Sequence, residues 1–187
     1  KTALIETVKS RFADDCLEKI RAVMDPADID YIVADHTEPD HSGAVKALLA
    51  HMPGATVVAS RAGIDFLKEI VNEPFESMTV KTGDSLDLGG RTLSFISAPF
   101  LHWPDSMFTW VPEEKVLFSG DIFGCHYAMP EEKLFDDESD RDLAKAQKYY
   151  YDVIMSPFKS YMRAALERIS DLDINLICPS HGPVLRF

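Results

Sequence analysis

Residues 31–41, YIVADHTEPDH, place a short apolar run next to a dense group of metal-binding side chains. The run, residues 31–34, is typical of a strand that is buried on both faces. The loop after it carries two histidines and two carboxylates within six residues: His36, Glu38, Asp40 and His41. We therefore predict that a buried strand delivers these four side chains to one edge of a sheet.

The spacing within this loop predicts where the side chains point. In extended backbone every second side chain projects to the same side, which groups His36, Glu38 and Asp40. His41 follows at the point where a helix begins. Carboxylates and imidazoles held this close repel one another or lose hydration unless a cation organises them. A solvated polar loop with a helix N-cap at Asp40 or Ser42 is the alternative interpretation.

The remaining sequence mixes helices and strands in an order typical of a layered α/β domain. A helix over residues 44–52, a strand over 55–60 and a helix over 64–71 follow the loop. Short strands separated by turn residues then indicate an antiparallel meander over residues 78–118. Two helices, at 143–154 and 158–169, and a buried strand at 175–178 complete the predicted domain.

Three more polar residues each follow the end of an apolar strand: His102, Asp121 and His181. In layered α/β domains the loops at strand ends converge on one rim, where sites are built. Alone, each residue is as easily explained as a buried histidine or a helix cap. Together with the loop they offer four histidines and three carboxylates, which is too many for one tetrahedral zinc. Two ions of higher coordination number, bridged by one carboxylate, fit this set.

The composition excludes several classes of function. A chain of 187 residues suits one domain with a sizeable core. With 31 Asp+Glu against 19 Lys+Arg, the net charge of -12 repels phosphate backbones, so nucleic acid is an unfavourable partner. No apolar run approaches the roughly 20 residues that span a membrane. Three widely spaced cysteines without a CxxC pair argue against a zinc ribbon or a disulfide scaffold and favour the reducing cytoplasm.

The pattern of these residues resembles the diiron site of the flavodiiron proteins, the oxygen and nitric-oxide reductases of anaerobes. The resemblance covers nearly the whole chain and includes the flanking words LHWPDSM at 101–107, FSGDIFG at 118–124, FDDE at 135–138 and SHGP at 180–183. It implies an α/β fold of the metallo-β-lactamase-like αβ/βα sandwich type. The sequence begins at Lys1 rather than at a methionine, and the family's first strands would precede it. We therefore expect residues 1–187 to be an incomplete diiron domain of a longer protein.

The resemblance also implies how the ligands are shared between two irons. One iron takes His36, Glu38 and His102, the other takes Asp40, His41 and His181, and Asp121 bridges them. In some members of the family the residue corresponding to His41 turns away from iron, so its ligation stays open. Zinc hydrolases of this fold usually carry a second histidine in place of Glu38. A carboxylate there adds negative charge and a hard oxygen, which favours iron over zinc.

The implied activity is reduction of O2 to water, of NO to N2O, or of both. Full reduction of O2 needs four electrons, of which the iron pair supplies two. In the family the rest come from FMN on a flavodoxin-like domain, which we expect downstream of residue 187. A head-to-tail homodimer, or a dimer of such dimers, then brings one subunit's flavin to the other's irons. A rubredoxin or a similar redox carrier is the expected electron donor.

Three further positions are candidates for lesser roles around the site. The resemblance places a tyrosine from Tyr149-Tyr150-Tyr151 near the iron pair, with Tyr150 the candidate and core packing the alternative. His126 is a candidate for orienting a ligand by a hydrogen bond, and a surface histidine is the alternative. Trp103 is a candidate for the pocket wall and the surface that faces the flavin, with burial in the core as the alternative.

Two other functions stay open from the sequence. One is a zinc hydrolase of thioesters or related substrates on the same fold. The other is a non-catalytic diiron sensor that binds O2 without reducing it. The identity of the metal separates the first from a reductase, and the fate of O2 separates the second.

Overall fold

Two β-sheets pack face to face in the computed structural model, which describes residues 1–130, 133–139 and 142–187. The first sheet is parallel throughout, in the order β1-β2-β3-β4. Its strands are β1 (Ala3–Ile5), β2 (Tyr31–Ala34), β3 (Thr56–Ala59) and β4 (Ser77–Thr79).

The second sheet is mostly antiparallel, in the order β10-β9-β8-β7-β6-β5, with β8 and β9 parallel. Its strands are β5 (Ser85–Asp87), β6 (Thr92–Ser97), β7 (Met107–Val111), β8 (Val116–Gly120), β9 (Leu176–Pro179) and β10 (Leu185–Arg186).

Helices connect the strands and cover the sheets. They are α1 (Ala13–Arg21), α2 (Pro39–Ser42), α3 (Val45–Leu49), α4 (Arg61–Val71), α5 (Leu143–Tyr150) and α6 (Lys159–Ile169). A π-helical turn, Tyr151–Met155, follows α5 directly. Within the described part of the chain, no helix combines the length and the apolarity that crossing a membrane requires.

The core explains why the central strands carry apolar residues on both faces. In β2, Ile32 packs among α1 and α3, whereas Val33 packs between the two sheets, and both are 0% exposed. The same alternation recurs in β3, where Val57 faces α4 and Val58 faces the second sheet. A strand covered on both sides has no position for a polar side chain, so polar residues gather at its end.

The predicted layered α/β architecture is confirmed, with one error of pairing. The strand at residues 78–80 was expected to open the antiparallel meander, but β4 instead pairs in parallel with β3 in the first sheet. The intervening helix α4 explains this, because a strand that follows a helical crossover returns parallel to the strand before it. Helix α1 and strand β10 are two further elements that the sequence pattern does not predict.

Strand direction gathers the predicted site residues at one rim. Strands β6 and β8 are both antiparallel to β7, and β9 is parallel to β8, so all three end at the same edge of their sheet. The end of β2 meets this edge through Asp35. Its backbone oxygen accepts from Met107 N at 2.9 Å, and its buried carboxylate accepts from Thr109 Oγ1 at 2.6 Å. These bonds link the two sheets beside the rim.

Candidate metal centre

The structure brings all seven residues of the predicted ligand set together and divides them into two groups. His36, Glu38, His102 and Asp121 form the first group, and Asp40, His41 and His181 form the second. Within each group the candidate ligand atoms lie within 4.8 Å of one another. This is the grouping that the resemblance implies for two irons.

Asp121 lies between the two groups, and each of its carboxylate oxygens faces a different pair of histidines. Oδ1 is 3.0 Å from Nε2 of His41 and 3.4 Å from Nε2 of His181. Oδ2 is 3.3 Å from Nε2 of His102 and 3.6 Å from Nε2 of His36. Ligands about 2.1 Å from a shared ion lie roughly 3.0 to 3.4 Å apart at octahedral or tetrahedral angles. The separations therefore suit two cations side by side.

Each group receives one further carboxylate from the loop after β2. Glu38 Oε2 lies 3.0 Å from Nε2 of His102, and Asp40 Oδ2 lies 3.4 Å from Nε2 of His181. The expectation that Asp40 continues an extended segment with Glu38 is wrong, because α2 begins at Pro39. Proline suits the first position of a helix. The turn of this helix carries Asp40 and His41 to the second group.

Four buried atoms of the cluster without hydrogen-bond partners indicate that a cation fits it. Nε2 of His36 and of His41, Oδ1 of Asp40 and Oδ1 of Asp121 are all buried and have no hydrogen-bond partner. Buried polar atoms are nearly always paired, and each unpaired one costs about 1–3 kcal/mol. All four are candidate ligand atoms that face other members of the cluster. Imidazole nitrogens and carboxylate oxygens in this proportion suit iron.

Two carboxylates outside the predicted ligand set orient the buried imidazoles. Asp105 Oδ2 lies 3.2 Å from Nδ1 of His36, and Glu6 Oε2 lies 2.6 Å from Nδ1 of His41. In both rings this contact leaves Nε2 facing Asp121. A carboxylate on the far nitrogen of a ligand histidine fixes its tautomer and raises its basicity.

The imidazoles and carboxylates of the cluster shift one another's pKa values. Burial favours the neutral form of Asp121, but the imidazoles of His102 and His41 outweigh it and hold the pKa of this carboxyl low. Burial disfavours a charge on His41, but the carboxylates of Asp121 and Glu6 raise its pKa to about 11. Asp121 raises the pKa of His102 as well, whereas burial lowers that of His181. A metal ion that binds to these imidazoles has to displace the protons that the neighbouring carboxylates favour.

A cavity of about 460 Å³ opens over the cluster. Tyr150 and His126 both line it, and their rings are in edge-to-face contact at 5.0 Å between centroids. Tyr150 is buried, and burial together with the charge of Asp121 raises the pKa of its phenol. The other two tyrosines of the run, Tyr149 and Tyr151, do not line this cavity.

Trp103 lies behind the cluster. Its ring meets His36 edge-on at 5.4 Å between centroids and Phe66 at 6.2 Å, and it is half-buried. It is absent from the lining of the 460 Å³ cavity. A role facing a flavin stays a prediction for this residue.

Replacing Asp105 by alanine is expected to destabilise the fold by about 3 kcal/mol or more, because buried donors lose their acceptor. Its Oδ2 accepts from Thr37 N at 2.7 Å and from Thr37 Oγ1 at 2.8 Å, besides facing His36. The measurement is denaturant unfolding of the metal-free protein. Asp65→Ala is the control, since its exposed pair with Arg61 contributes less than about 1 kcal/mol. Equal losses in the two variants contradict the assigned role of Asp105.

A two-sheet sandwich with histidines and carboxylates at the strand ends defines a β-lactamase-like domain. The sequence matches the ODP family beta lactamase over residues 1–182, and the chain belongs to this family. The metallo-β-lactamase-like fold implied by the sequence is thereby confirmed.

Individual relatives are flavodiiron proteins and reductases. The chain is 47% identical to flavo-diiron protein FprA2 of Clostridium acetobutylicum over 99% of its own length and 47% of that protein's. It is 43% identical to a nitric oxide reductase of Moorella thermoacetica, in a match that covers 100% of this chain and 47% of that protein. The structure of rubredoxin oxygen:oxidoreductase from Desulfovibrio gigas superposes with a TM-score of 0.94 at 35% identity, covering 98% of this chain and 46% of that one. The chain spans about half the length of these relatives.

Proposed function

We propose that this domain holds two iron ions and forms the reducing site of a flavodiiron oxidoreductase that acts on O2, NO or both. The main support for this proposal is the position of Asp121, whose two carboxylate oxygens face two separate pairs of histidines. The similarity to flavo-diiron protein FprA2 and to a nitric oxide reductase supports the reaction class. The same similarity does not favour hydrolysis by zinc.

The seven side chains would divide the ligation as they divide in space. His36, Glu38 and His102 would hold one ion, Asp40, His41 and His181 would hold the other, and Asp121 would bridge. When bound, the iron pair supplies the electron transfer to O2 or NO that no side chain can perform. Asp105 and Glu6 keep the imidazoles of His36 and His41 aimed at these positions.

The residues that line the cavity would supply hydrogen bonds, protons and an apolar surface beside the metal ligands. Burial and the charge of Asp121 raise the pKa of the Tyr150 phenol, so the hydroxyl stays protonated at neutral pH and can donate a hydrogen bond toward Asp121 and the space beside it. His126, whose ring lies 5.4 Å from that of His181, is placed to pass protons from solvent. Val153, Ile154, Pro157 and Phe158 form an apolar wall that limits water.

The complete protein is proposed to carry an FMN-binding flavodoxin-like domain after this one. The chain covers 47% of flavo-diiron protein FprA2 and 47% of the nitric oxide reductase, so these relatives have room for a second domain of similar size. Reduction of O2 to two water molecules consumes four electrons and four protons, so a flavin close to the cavity mouth is needed. Val153 at the mouth is 52% exposed, which suits cover by another subunit's domain in a head-to-tail homodimer. A rubredoxin-type carrier would supply the electrons.

The cysteines favour a cytoplasmic protein. Cys16, Cys125 and Cys178 are all free thiols. Free thiols persist in reducing compartments, whereas disulfides form and persist in oxidising ones.

The test is to express the chain in iron-rich medium, count its metals and follow its reaction with gas. We expect about two irons per chain, with little zinc. Reduced anaerobically and mixed with O2 or NO, the protein should consume the gas as it oxidises. Two zincs per chain with hydrolysis of a thioester would support the hydrolase instead. Reversible uptake of O2 without its consumption would identify a sensor.

A further inference from the structure

Glu6 lies directly after β1 and reaches under the ligand loop with both carboxylate oxygens engaged. Oε1 accepts from the backbone N–H of Asp35 at 2.5 Å and of His36 at 3.1 Å. Oε2 lies 2.6 Å from Nδ1 of His41. The backbone of Glu6 has a φ of 63°, in the left-handed region that side chains other than glycine rarely adopt. One side chain thus connects the beginning of the ligand loop to the imidazole at its end.

We propose that Glu6 is a positioning residue that fixes His41 as a ligand of the second metal position. This inference rests on the proposed function, because it presupposes two bound ions. It answers the question that the sequence leaves open, namely whether His41 faces the metal or turns away from it.

The contact with Glu6 determines where the hydrogen of the His41 ring lies. A carboxylate only accepts hydrogen bonds, so the contact with Glu6 requires the hydrogen on Nδ1 of His41. The lone pair of the neutral ring is then on Nε2, which faces Asp121 Oδ1 at 3.0 Å and Asp40 Oδ1 at 3.7 Å. With the ring neutral, all three atoms are acceptors, so a cation has to lie between them: either a second proton on Nε2 or a metal ion that displaces it.

The surroundings oppose the alternative orientation. The ring of His41 is packed between those of His36 and His181, with centroids 4.8 and 5.1 Å away, and the residue is 2% exposed. Turning the ring would break its contact with Glu6 and leave the carboxylate, only 13% exposed, with its two backbone donors alone. Glu6 therefore holds the ring in the orientation that a ligand needs.

Glu6→Gln changes the hydrogen bond without changing the shape. The amide oxygen can still accept from the N–H groups of Asp35 and His36, but the amide NH2 then faces Nδ1 of His41. That arrangement favours the hydrogen on Nε2, where it blocks metal binding. We expect the affinity of the second position to fall about 10- to 100-fold, as for other partners of ligand histidines, with the first position unchanged.

The measurement is a titration of the metal-free chain with Co²⁺, followed by absorption and calorimetry. The wild type should bind two ions tightly, and Glu6→Gln should bind one tightly and one weakly. Thr7→Val is the matched control, because the Thr7 hydroxyl donates to the backbone oxygen of His41 and does not touch the ring. Two tight ions in Glu6→Gln, or equal loss in Thr7→Val, would overturn the inference. A wild type that binds fewer than two ions would instead overturn the proposed function.

Two further readouts separate positioning from a structural role. In the His41→Ala background, Glu6→Gln should cause no additional loss of Co²⁺ affinity, and an additional loss counts against the inference. The ¹⁵N NMR signals of the zinc-loaded wild type should show His41 with its hydrogen on Nδ1 and metal on Nε2. This second readout needs no variant, so a failure of Glu6→Gln to fold leaves the inference testable.

Discussion

Asp121→Ala is expected to abolish the loading of both metal ions, not of one. Its Oδ1 serves the group that contains His41 and His181, and its Oδ2 serves the group that contains His36 and His102. Loss of this carboxylate removes a ligand from each position and the negative charge that lies between two cations. Since losing only an outer partner of a ligand weakens metal binding about 10- to 100-fold, losing a shared ligand should cost more than about 100-fold at each position.

The measurement is the iron content of the purified variant after equilibration with Fe²⁺ in the absence of oxygen, with the diiron absorption spectrum beside it. Asp171→Ala is the control, because Asp171 is exposed and lies outside the cluster. It should load iron like the wild type. A normal diiron spectrum in Asp121→Ala would refute the bridging assignment. Loss of one iron with retention of the other would place Asp121 in a single position.

Part of the candidate ligand set could be placed at one rim from the sequence, because several of its members directly follow apolar strands. A strand buried on both faces excludes polar side chains, so a histidine or a carboxylate directly after an apolar run lies at the rim of a sheet. His36, Asp121 and His181 follow β2, β8 and β9 in this way. The rule places these side chains at the rim without knowledge of which strands pair, whereas their division between two ions came from the resemblance to the flavodiiron proteins.

The supporting carboxylates could not be predicted in the same way. Glu6 and Asp105 act on histidines 35 and 69 positions away, through pairings that only the assembled sheets create. Glu6 carried a usable signal, since it follows the apolar run of β1 just as the ligands follow theirs. Asp105 gave a weaker signal, because it does not follow a strand directly. It lies in the loop between β6 and β7, where His102 was already the candidate ligand.

Pairing and backbone conformation account for the remaining differences. The sequence shows that residues 78–80 are extended but not which sheet they join, and β4 joins the one that its connecting helix allows. Likewise the alternation of His36, Glu38 and Asp40 is as compatible with a strand as with a turn into a helix. Pro39 was the local signal that the helix begins there.

Glu38→His is expected to shift the metal preference of the first position from iron toward zinc by at least about tenfold. Glu38 Oε2 lies 3.0 Å from Nε2 of His102 and 3.5 Å from Nε2 of His36, so a new imidazole would join two others. The exchange removes one negative charge and one hard oxygen donor. Both changes weaken the preference for iron, and a set rich in nitrogen donors suits zinc.

The measurement is competition: the metal-free protein is dialysed without oxygen against equal concentrations of Fe²⁺ and Zn²⁺, and both metals are counted. The ratio of iron to zinc should fall in Glu38→His relative to the wild type, with the change confined to one ion per chain because Asp40 still serves the other position. Glu69→His, an exposed substitution on α4, introduces the same residue away from the cluster and should leave the ratio unchanged. Because zinc binds most sites of this kind more tightly than ferrous iron, only the change between variants is informative. An unchanged ratio would mean that Glu38 does not set the metal, and the choice of iron would then have to arise from the charge of Asp40 and Asp121.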